Sequence, residues 1–158
     1  MTREQKQGFT LRITQANPTQ MVVILYEMTL CYVRDAKAAL ECGQRAELRD
    51  AVRRARGCIG ELMNSLNLKY QPAPALLGVY GFCIRRLAAA EAGETMQALL
   101  EIEKVILPLR DAYEQIADRN SDGAVMNNSQ TVYAGLTYGR NSLTENMADQ
   151  GANRGIYA

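Results

Sequence analysis

Residues 48–66, LRDAVRRARGCIGELMNSL, decide the fold prediction for this chain. Apolar side chains recur along this stretch at intervals of three and four residues, in the order Leu48, Val52, Ala55, Ile59, Leu62 and Leu66. The spacing puts all six on one stripe of an α-helix, which is typical of helices that pack into bundles. Gly57 and Gly60 interrupt the stripe, and they either lower helix stability or allow another helix to approach closely. We expect a helix over residues 45–68 that buries this stripe.

Three more helices are predicted around this one. Asn17-Pro18 is a start signal, because an Asn side chain caps the first turn and Pro at the first helical position loses no needed donor. Gly43 ends the helix that begins there, and two prolines in residues 71–74 mark the next break. Since the links are short, we expect an all-α fold, an antiparallel up-down four-helix bundle. The predicted helices cover residues 19–42, 45–68, 75–92 and 94–118. On the third of these helices the core candidates are Leu77, Tyr80, Ile84 and Leu87, and on the fourth the apolar stripe is Leu99, Ile102, Ile106, Leu109, Tyr113 and Ile116.

The bundle has a segment on either side of it. The predicted parts are a mobile N-terminal cap segment (1–16), the helical bundle (17–118) and an irregular, partly ordered C-terminal extension (119–158). Phe9, Leu11 and Ile13 of the cap segment would be exposed for no gain unless they fold back over the bundle. The extension is rich in Asn, Gly and Ser but keeps spaced apolar residues that we expect to contact the bundle: Tyr133, Leu136, Tyr138 and Leu143.

The composition excludes most catalytic classes. The chain has no histidine, which removes Ser-His-Asp and Cys-His arrangements and the usual zinc and di-iron sites. Its 18 Lys and Arg residues nearly balance 17 Asp and Glu residues, and the net charge of +1 argues against a nucleic-acid binder. The four cysteines form no C-x-x-C pair, the close spacing that is typical of a metal site. We predict a protein that is not an enzyme, with no catalytic residue, no cofactor, no metal and no nucleic-acid partner.

The sequence also predicts a cytoplasmic location. The N-terminus is polar and lacks the apolar run of a signal peptide, and no stretch approaches the roughly 18 uncharged apolar residues of a membrane span. We therefore expect no membrane insertion. Reduced thiols are the expected state of the four cysteines, Cys31, Cys42, Cys58 and Cys83.

Two surface features stand out. Between Arg45 and Arg56 the chain has five Arg against Glu47 and Asp50, a local charge of +3, which we interpret as a solvated helix face. Methionines are soft, adaptable side chains that suit the binding of amphipathic helices. From the residues alone we predict a cytoplasmic helical bundle that binds another chain. The methionines in question are Met21, Met28, Met63, Met96, Met126 and Met147.

Four short motifs resemble those of a known family. Residues 13–27, ITQANPTQMVVILYE, resemble the opening segment of the flagellar secretion chaperone family FliS. The family's later motifs are resembled by residues 61–68 (ELMNSLNL), 79–87 (VYGFCIRRL) and 109–113 (LRDAY). Each motif alone is weak, but the four occur in order and at the family's separations. The resemblance covers about residues 9–117 and leaves the C-terminal extension without a counterpart.

The resemblance implies a function and a partner. Members of this family bind the disordered C-terminal segment of newly made flagellin, prevent premature polymerisation and deliver flagellin to the flagellar type III export gate. The alternative is a helical adaptor or regulatory bundle that binds an amphipathic helix of another protein, and homodimer formation stays open. The residues expected to bind the partner are Tyr26, Ile59, Leu62, Met63, Leu66, Tyr80, Ile84 and Leu87.

Arg85 and Arg86 allow two interpretations. They could contact an anion or the export gate. We favour a structural role, with one arginine on the outer face of its helix and the other paired with a carboxylate such as Asp111 or Glu114.

Overall fold

The computed structural model of the protein describes residues 1–93, 95–117, 119 and 123, and every regular element in that part is an α-helix. The all-α prediction is confirmed. The count of four helices is wrong, because residues in the expected N-terminal cap segment form a helix of their own. The five helices are α1 (Arg3–Gln15), α2 (Pro18–Glu41), α3 (Arg45–Asn64), α4 (Ala73–Gly93) and α5 (Met96–Ala117).

The first helix begins with a capping box. The Gln5 backbone N–H donates to Thr2 Oγ1 at 3.2 Å, and the Thr2 N–H donates to Gln5 Oε1 at 2.9 Å. Together these bonds satisfy donors that have no partner in the first turn of a helix. The apolar spacing of this segment is too irregular to reveal the helix, so the capping pattern is the sequence signal that predicts it.

Both ends of α2 lie where the sequence predicts them. Asn17 caps the first turn: its Oδ1 accepts from the Gln20 N–H at 2.8 Å, and its own N–H donates to Gln20 Oε1 at 3.0 Å. Pro18 follows at the first helical position. Gly43 ends the helix with a φ of 67°, a left-handed conformation that residues with a side chain rarely adopt.

The four longer helices contact each other in a ring. α2 packs against α3 and α5, and α4 packs against the same two helices, while α1 contacts α2 alone within the described residues. Ion pairs cross three of these contacts. Lys37 Nζ lies 2.8 Å from Glu103 Oε2, Arg86 Nε lies 2.6 Å from Glu101 Oε2, and the third pair, Arg56–Glu91, is looser at 3.7 Å. Such half-exposed pairs contribute about 0–1 kcal/mol each, so the core dominates stability.

The predicted stripe of α3 is the centre of that core. Leu48, Val52, Ala55, Ile59 and Leu62 are all buried, and they pack with apolar residues from α2, α4 and α5. The sixth member, Leu66, is half-buried and lies past the end of the helix, which stops at Asn64 rather than at residue 68.

The two glycines of α3 do not mark a close helix contact. A Cβ built at Gly57 or Gly60 would meet no atom within 4 Å. The interpretation that they admit another helix is therefore wrong, and they act as weak points of the helix. The helix α5 continues through Pro108. Proline has no backbone N–H to donate within the helix, and Pro108 lies on the exposed side of α5.

The core face of α4 is offset from the predicted line. Leu77 and Ile84, both expected in the core, are half-buried. The offset arises because α4 is apolar on nearly every side, so its periodicity does not single out one face. The residues buried on α4 are Ala73, Leu76, Tyr80, Cys83, Leu87 and Ala90.

This apolar character also makes α4 the one described helix that is long and apolar enough, by length and composition, to cross a membrane. The expectation that no stretch qualifies was therefore too strict. Only 33% of that stretch is buried. Since α4 packs between α3 and α5, the composition fits a helix of this core.

Candidate functional site

An open cavity of about 240 Å³ lies where α3 ends and α4 begins. We call it the end pocket. Most of its side chains are apolar or aromatic: Val22 from α2, Leu66 and Tyr70 from the α3–α4 link, Leu76 and Tyr80 from α4, and Tyr113 from α5. An apolar cavity with a few polar groups is the usual form of a binding site for another molecule's side chains.

Three tyrosines lie at and beneath the end pocket. The hydroxyls of Tyr26 and Tyr80 are hydrogen-bonded to each other in the buried core. The Tyr26 ring also meets the Tyr113 ring edge-on, with 5.6 Å between ring centroids. Burial raises the pKa of all three phenols, and the hydrogen bond raises that of Tyr26 further. The three phenols therefore stay neutral near pH 7, and the inner wall of the pocket carries no charge from them.

Two of the segments that form the end pocket, the α3–α4 link and α5, expose large apolar side chains to solvent. Tyr70, which lines it, is 68% exposed, and Leu68 in the same link is 55% exposed. Ile116 is exposed as well and lies one turn beyond Tyr113 on α5. Single exposed apolar residues are ordinary, but several beside an apolar cavity indicate a surface that binds another chain.

The predicted partner-binding residues divide into two groups. Five are fully buried in this structure, so their side chains belong to the core: Tyr26, Ile59, Leu62, Tyr80 and Leu87. Met63, Leu66 and Ile84 are half-buried. The end pocket brings together Leu66 and Tyr80 from this set. A partner-binding role for the eight residues stays a prediction.

Sequence reasoning missed Tyr70 and Tyr113 as site residues. Tyr70 lies in a link without helical periodicity, so no apolar pattern points to it. Its position just before Pro72 and Pro74 is the one available signal, since a large aromatic in a short turn has little core to enter. Tyr113 was assigned to the core stripe, but it is only half-buried because α5 ends at Ala117 beside the open pocket.

The N-terminal helix lies along α2. Arg12 forms an ion pair with Glu27 and lies over the Phe9 ring, 5.7 Å from its centroid. Phe9 and Ile13 are half-buried and Leu11 is exposed. A capping role for these residues stays a prediction. The predicted contacts of the C-terminal extension, at Tyr133, Leu136, Tyr138 and Leu143, lie outside the described residues.

The double arginine is arranged partly as expected. Arg85 is exposed, and Arg86 is ion-paired. The partner of Arg86 is Glu101 on α5, neither Asp111 nor Glu114 as suggested, because Arg86 faces the second turn of α5 and those carboxylates lie further along that helix.

Two of the four cysteines, Cys58 and Cys83, are buried in the core. Burial raises the pKa of Cys58 and Cys83 to about 11, which keeps both thiols protonated near neutral pH. Among the described residues no group of three or more Cys, Asp or Glu side chains could hold a metal ion.

Comparison with known proteins identifies the family. The sequence model described as "Flagellar protein FliS" matches residues 1–120, which include all five helices. The chain belongs to the FliS family. A FliS relative from Bacillus subtilis (strain 168), named "Flagellar secretion chaperone FliS", is 25% identical over 118 residues, covering 72% of this chain and 89% of the relative. The resemblance read from the motifs is thereby confirmed, and a chaperone family agrees with the prediction of a protein that is not an enzyme.

Proposed function

We propose that this FliS-family chain is a cytoplasmic export chaperone for flagellin. It binds the disordered C-terminal segment of flagellin, prevents its premature polymerisation and delivers it to the flagellar type III export apparatus. The family match over the whole helical region carries the proposal. The end pocket, with its exposed apolar rim, supports it as a place where part of the segment binds.

The energetics of such a complex are favourable. A leucine or phenylalanine of the bound segment that leaves water for the end pocket contributes about 1.5–3 kcal/mol. Ordering a disordered segment opposes binding, so several such side chains must be buried along the bundle. The same side chains are those that would pair with other flagellin molecules, and covering them delays assembly.

The arrangement of the helices supports an end-on site. We infer that α2–α5 form an antiparallel up-down bundle with α1 packed outside it. The end of α3 shares the end pocket with the start of α4, and the start of α3 shares another cavity with the end of α4. Adjacent helices running in opposite directions place the α3–α4 link and the end of α5 at one end of the molecule.

The proposal is tested by binding of a labelled C-terminal segment of the host's flagellin to the full chain, followed by fluorescence anisotropy. We expect Leu68→Ser and Tyr70→Ser each to weaken binding about tenfold, equivalent to about 1.4 kcal/mol. The matched control is Leu107→Ser, which changes a leucine on α5 that is 45% exposed and lies outside the end pocket. It should change affinity less than about twofold.

The outcomes separate the function from the site. Absence of binding to the unaltered chain contradicts the flagellin proposal and favours the helical adaptor. Binding that Leu107→Ser weakens as much as the two rim variants do would place the flagellin site on another face. All three variants replace exposed side chains, so their melting temperatures should match that of the unaltered protein.

A further inference from the structure

A second cavity lies at the opposite end of the α3–α4 pair. Its volume is about 420 Å³. We call it the basic groove and define it by Arg45, Arg49 and Arg56 of α3 and by Ala88, Glu91 and Ala92 of α4. Arg49 and Asn64 at the end of α3 are fifteen residues apart, about 22 Å along the helix axis. The basic groove and the end pocket are therefore separate surfaces that two partners could occupy together.

Two arginines of the basic groove, Arg49 and Arg56, face one described carboxylate, Glu91, which leaves one positive charge unmatched by the described residues of its lining. Arg56 is only loosely paired with Glu91, at 3.7 Å, and its buried Nε makes no hydrogen bond within the described part of the chain. Arg49 is exposed and has no ion pair among the described residues. The guanidinium groups of Arg49 and of the loosely paired Arg56 can therefore both donate to an incoming carboxylate.

Two other arginines of the same run, Arg53 and Arg54, share one carboxylate on the helix surface. Arg53 and Arg54 both contact Asp50, at 2.6 Å and 2.7 Å, and these contacts lower the pKa of its carboxyl group. The arginines of residues 45–56 therefore lie on two different surfaces of α3. One is a solvated face, as expected, on which Arg53 and Arg54 contact Asp50, and the other is the basic groove.

The walls of the basic groove fix the size and spacing of its ligand. Leu48 is buried beneath it, and Ala88 and Ala92 on α4 are small, so a chain can approach the helices closely. Arg49 and Arg56 are seven residues apart, two helical turns or about 10 Å. Two carboxylates meet this spacing on one side of a chain when they are three residues apart in a polyproline II conformation, which has three residues per turn and rises about 3.1 Å per residue.

We propose that the basic groove binds an acidic segment of a partner protein. Two carboxylates spaced about 10 Å apart pair with Arg49 and Arg56, and small side chains between them lie over Leu48 and Ala88. A protein segment fits better than a nucleic acid. Among the residues that the structure describes, the groove contains Glu91 and no aromatic side chain for base stacking, and the whole chain has a net charge of only +1.

The test uses a fluorescein-labelled peptide with the central sequence Asp-Ala-Ala-Asp, titrated with the full chain at low salt. The comparison peptide has Asn-Ala-Ala-Asn at the same positions. We expect the acidic peptide to bind at least about fivefold more tightly than its amide analogue, as two ion pairs of ordinary strength provide. Raising the salt concentration should weaken its binding.

Two double variants carry the same change of charge. Arg49→Gln with Arg56→Gln should weaken binding of the acidic peptide about fivefold or more, whereas Arg53→Gln with Arg54→Gln should change it less than about twofold. Because Arg56 contacts Glu91, the single variant Arg49→Gln is included; it removes a side chain without an ion pair, so it keeps the fold and should still weaken binding.

Three results would overturn the proposal. Equal losses in the two double variants would mean that net charge, rather than the groove, attracts the peptide. Equal affinity for the acidic and amide peptides would remove the role of the carboxylates. A single-stranded oligonucleotide that binds the groove more tightly than the acidic peptide would assign it to nucleic acid instead. None of these results bears on flagellin binding at the end pocket.

Discussion

The hydroxyls of Tyr26 and Tyr80 form a hydrogen-bonded pair in the core beside the end pocket, which Tyr80 lines. Among the described residues, each hydroxyl has the other as its hydrogen-bond partner. A buried hydroxyl without a partner loses its hydration and gains nothing in return. This pair therefore links the stability of the core to the shape of the candidate site.

We expect Tyr26→Phe to lower the free energy of unfolding by about 1–2 kcal/mol, since it leaves the Tyr80 hydroxyl unpaired. The double variant Tyr26→Phe with Tyr80→Phe should be no less stable than the single one, because both polar groups are gone. Tyr113→Phe is the control and should change stability by less than about 0.5 kcal/mol. Urea denaturation measures the free energy of unfolding of all four proteins, and a double variant that is clearly less stable than Tyr26→Phe would contradict the pairing.

The buried thiols predict a loss of stability at high pH. Burial raises the pKa of Cys58 and Cys83 from 9.0 to about 11 in the folded protein. The stabilisation that comes from keeping these thiols protonated is fully present below pH 9 and is lost as the pH rises through 11. The reason is that the thiols of the unfolded chain ionise at a lower pH than those of the folded protein. The expected slope is about 1.4 kcal/mol per pH unit for each thiol within that window.

Urea denaturation between pH 8 and pH 10.5 tests this dependence. The variant with Cys58→Ala and Cys83→Ala is the control, and its stability should fall less steeply over the same range. The raised pKa values of Tyr26 and Tyr80 act in the same direction, so some decline remains above pH 10. Identical slopes in both proteins would show that the thiols do not titrate differently on folding.

At the scale of the helices, apolar periodicity predicted the buried face correctly where a helix has a single apolar face. On α3 the polar and apolar sides are distinct, and the predicted stripe is the buried one. On α4 the apolar residues surround the helix, so Leu77 and Ile84 were assigned to the core although Leu76 and Cys83 occupy it. The helix at Arg3–Gln15 was missed because its signal is a cap, which a search for stripes does not detect.

Replacing either of two glycines by alanine should change the free energy of unfolding, in opposite directions. Gly43→Ala should lower the free energy of unfolding by about 1 kcal/mol, because Gly43 has a φ of 67° that a Cβ disfavours. Gly57→Ala should raise it by about 0.5–1 kcal/mol, since Gly57 is exposed inside α3 and an added Cβ meets no atom within 4 Å. Thermal unfolding measures the stability of both variants. A lower stability of Gly57→Ala would contradict the prediction and indicate that another group contacts this face of α3.

For the molecule as a whole, the family and the fold class followed from the sequence, and the binding surface did not. The motifs that carry the family resemblance contain core residues such as Tyr26 and Leu87, so the residues that identify the family are largely those that stabilise it. The end pocket is formed where the α3–α4 link meets the end of α5, segments about forty residues apart in the chain. Only their packing in three dimensions brings Tyr70 and Tyr113 together.

The most direct test of the chaperone proposal is isothermal titration of the full chain with the C-terminal segment of its host's flagellin, repeated at several temperatures. We expect a one-to-one complex with a negative change in heat capacity, because apolar surface is buried on both molecules. Affinity should depend only weakly on salt. Absence of binding, or an affinity governed by salt with no change in heat capacity, would contradict the account.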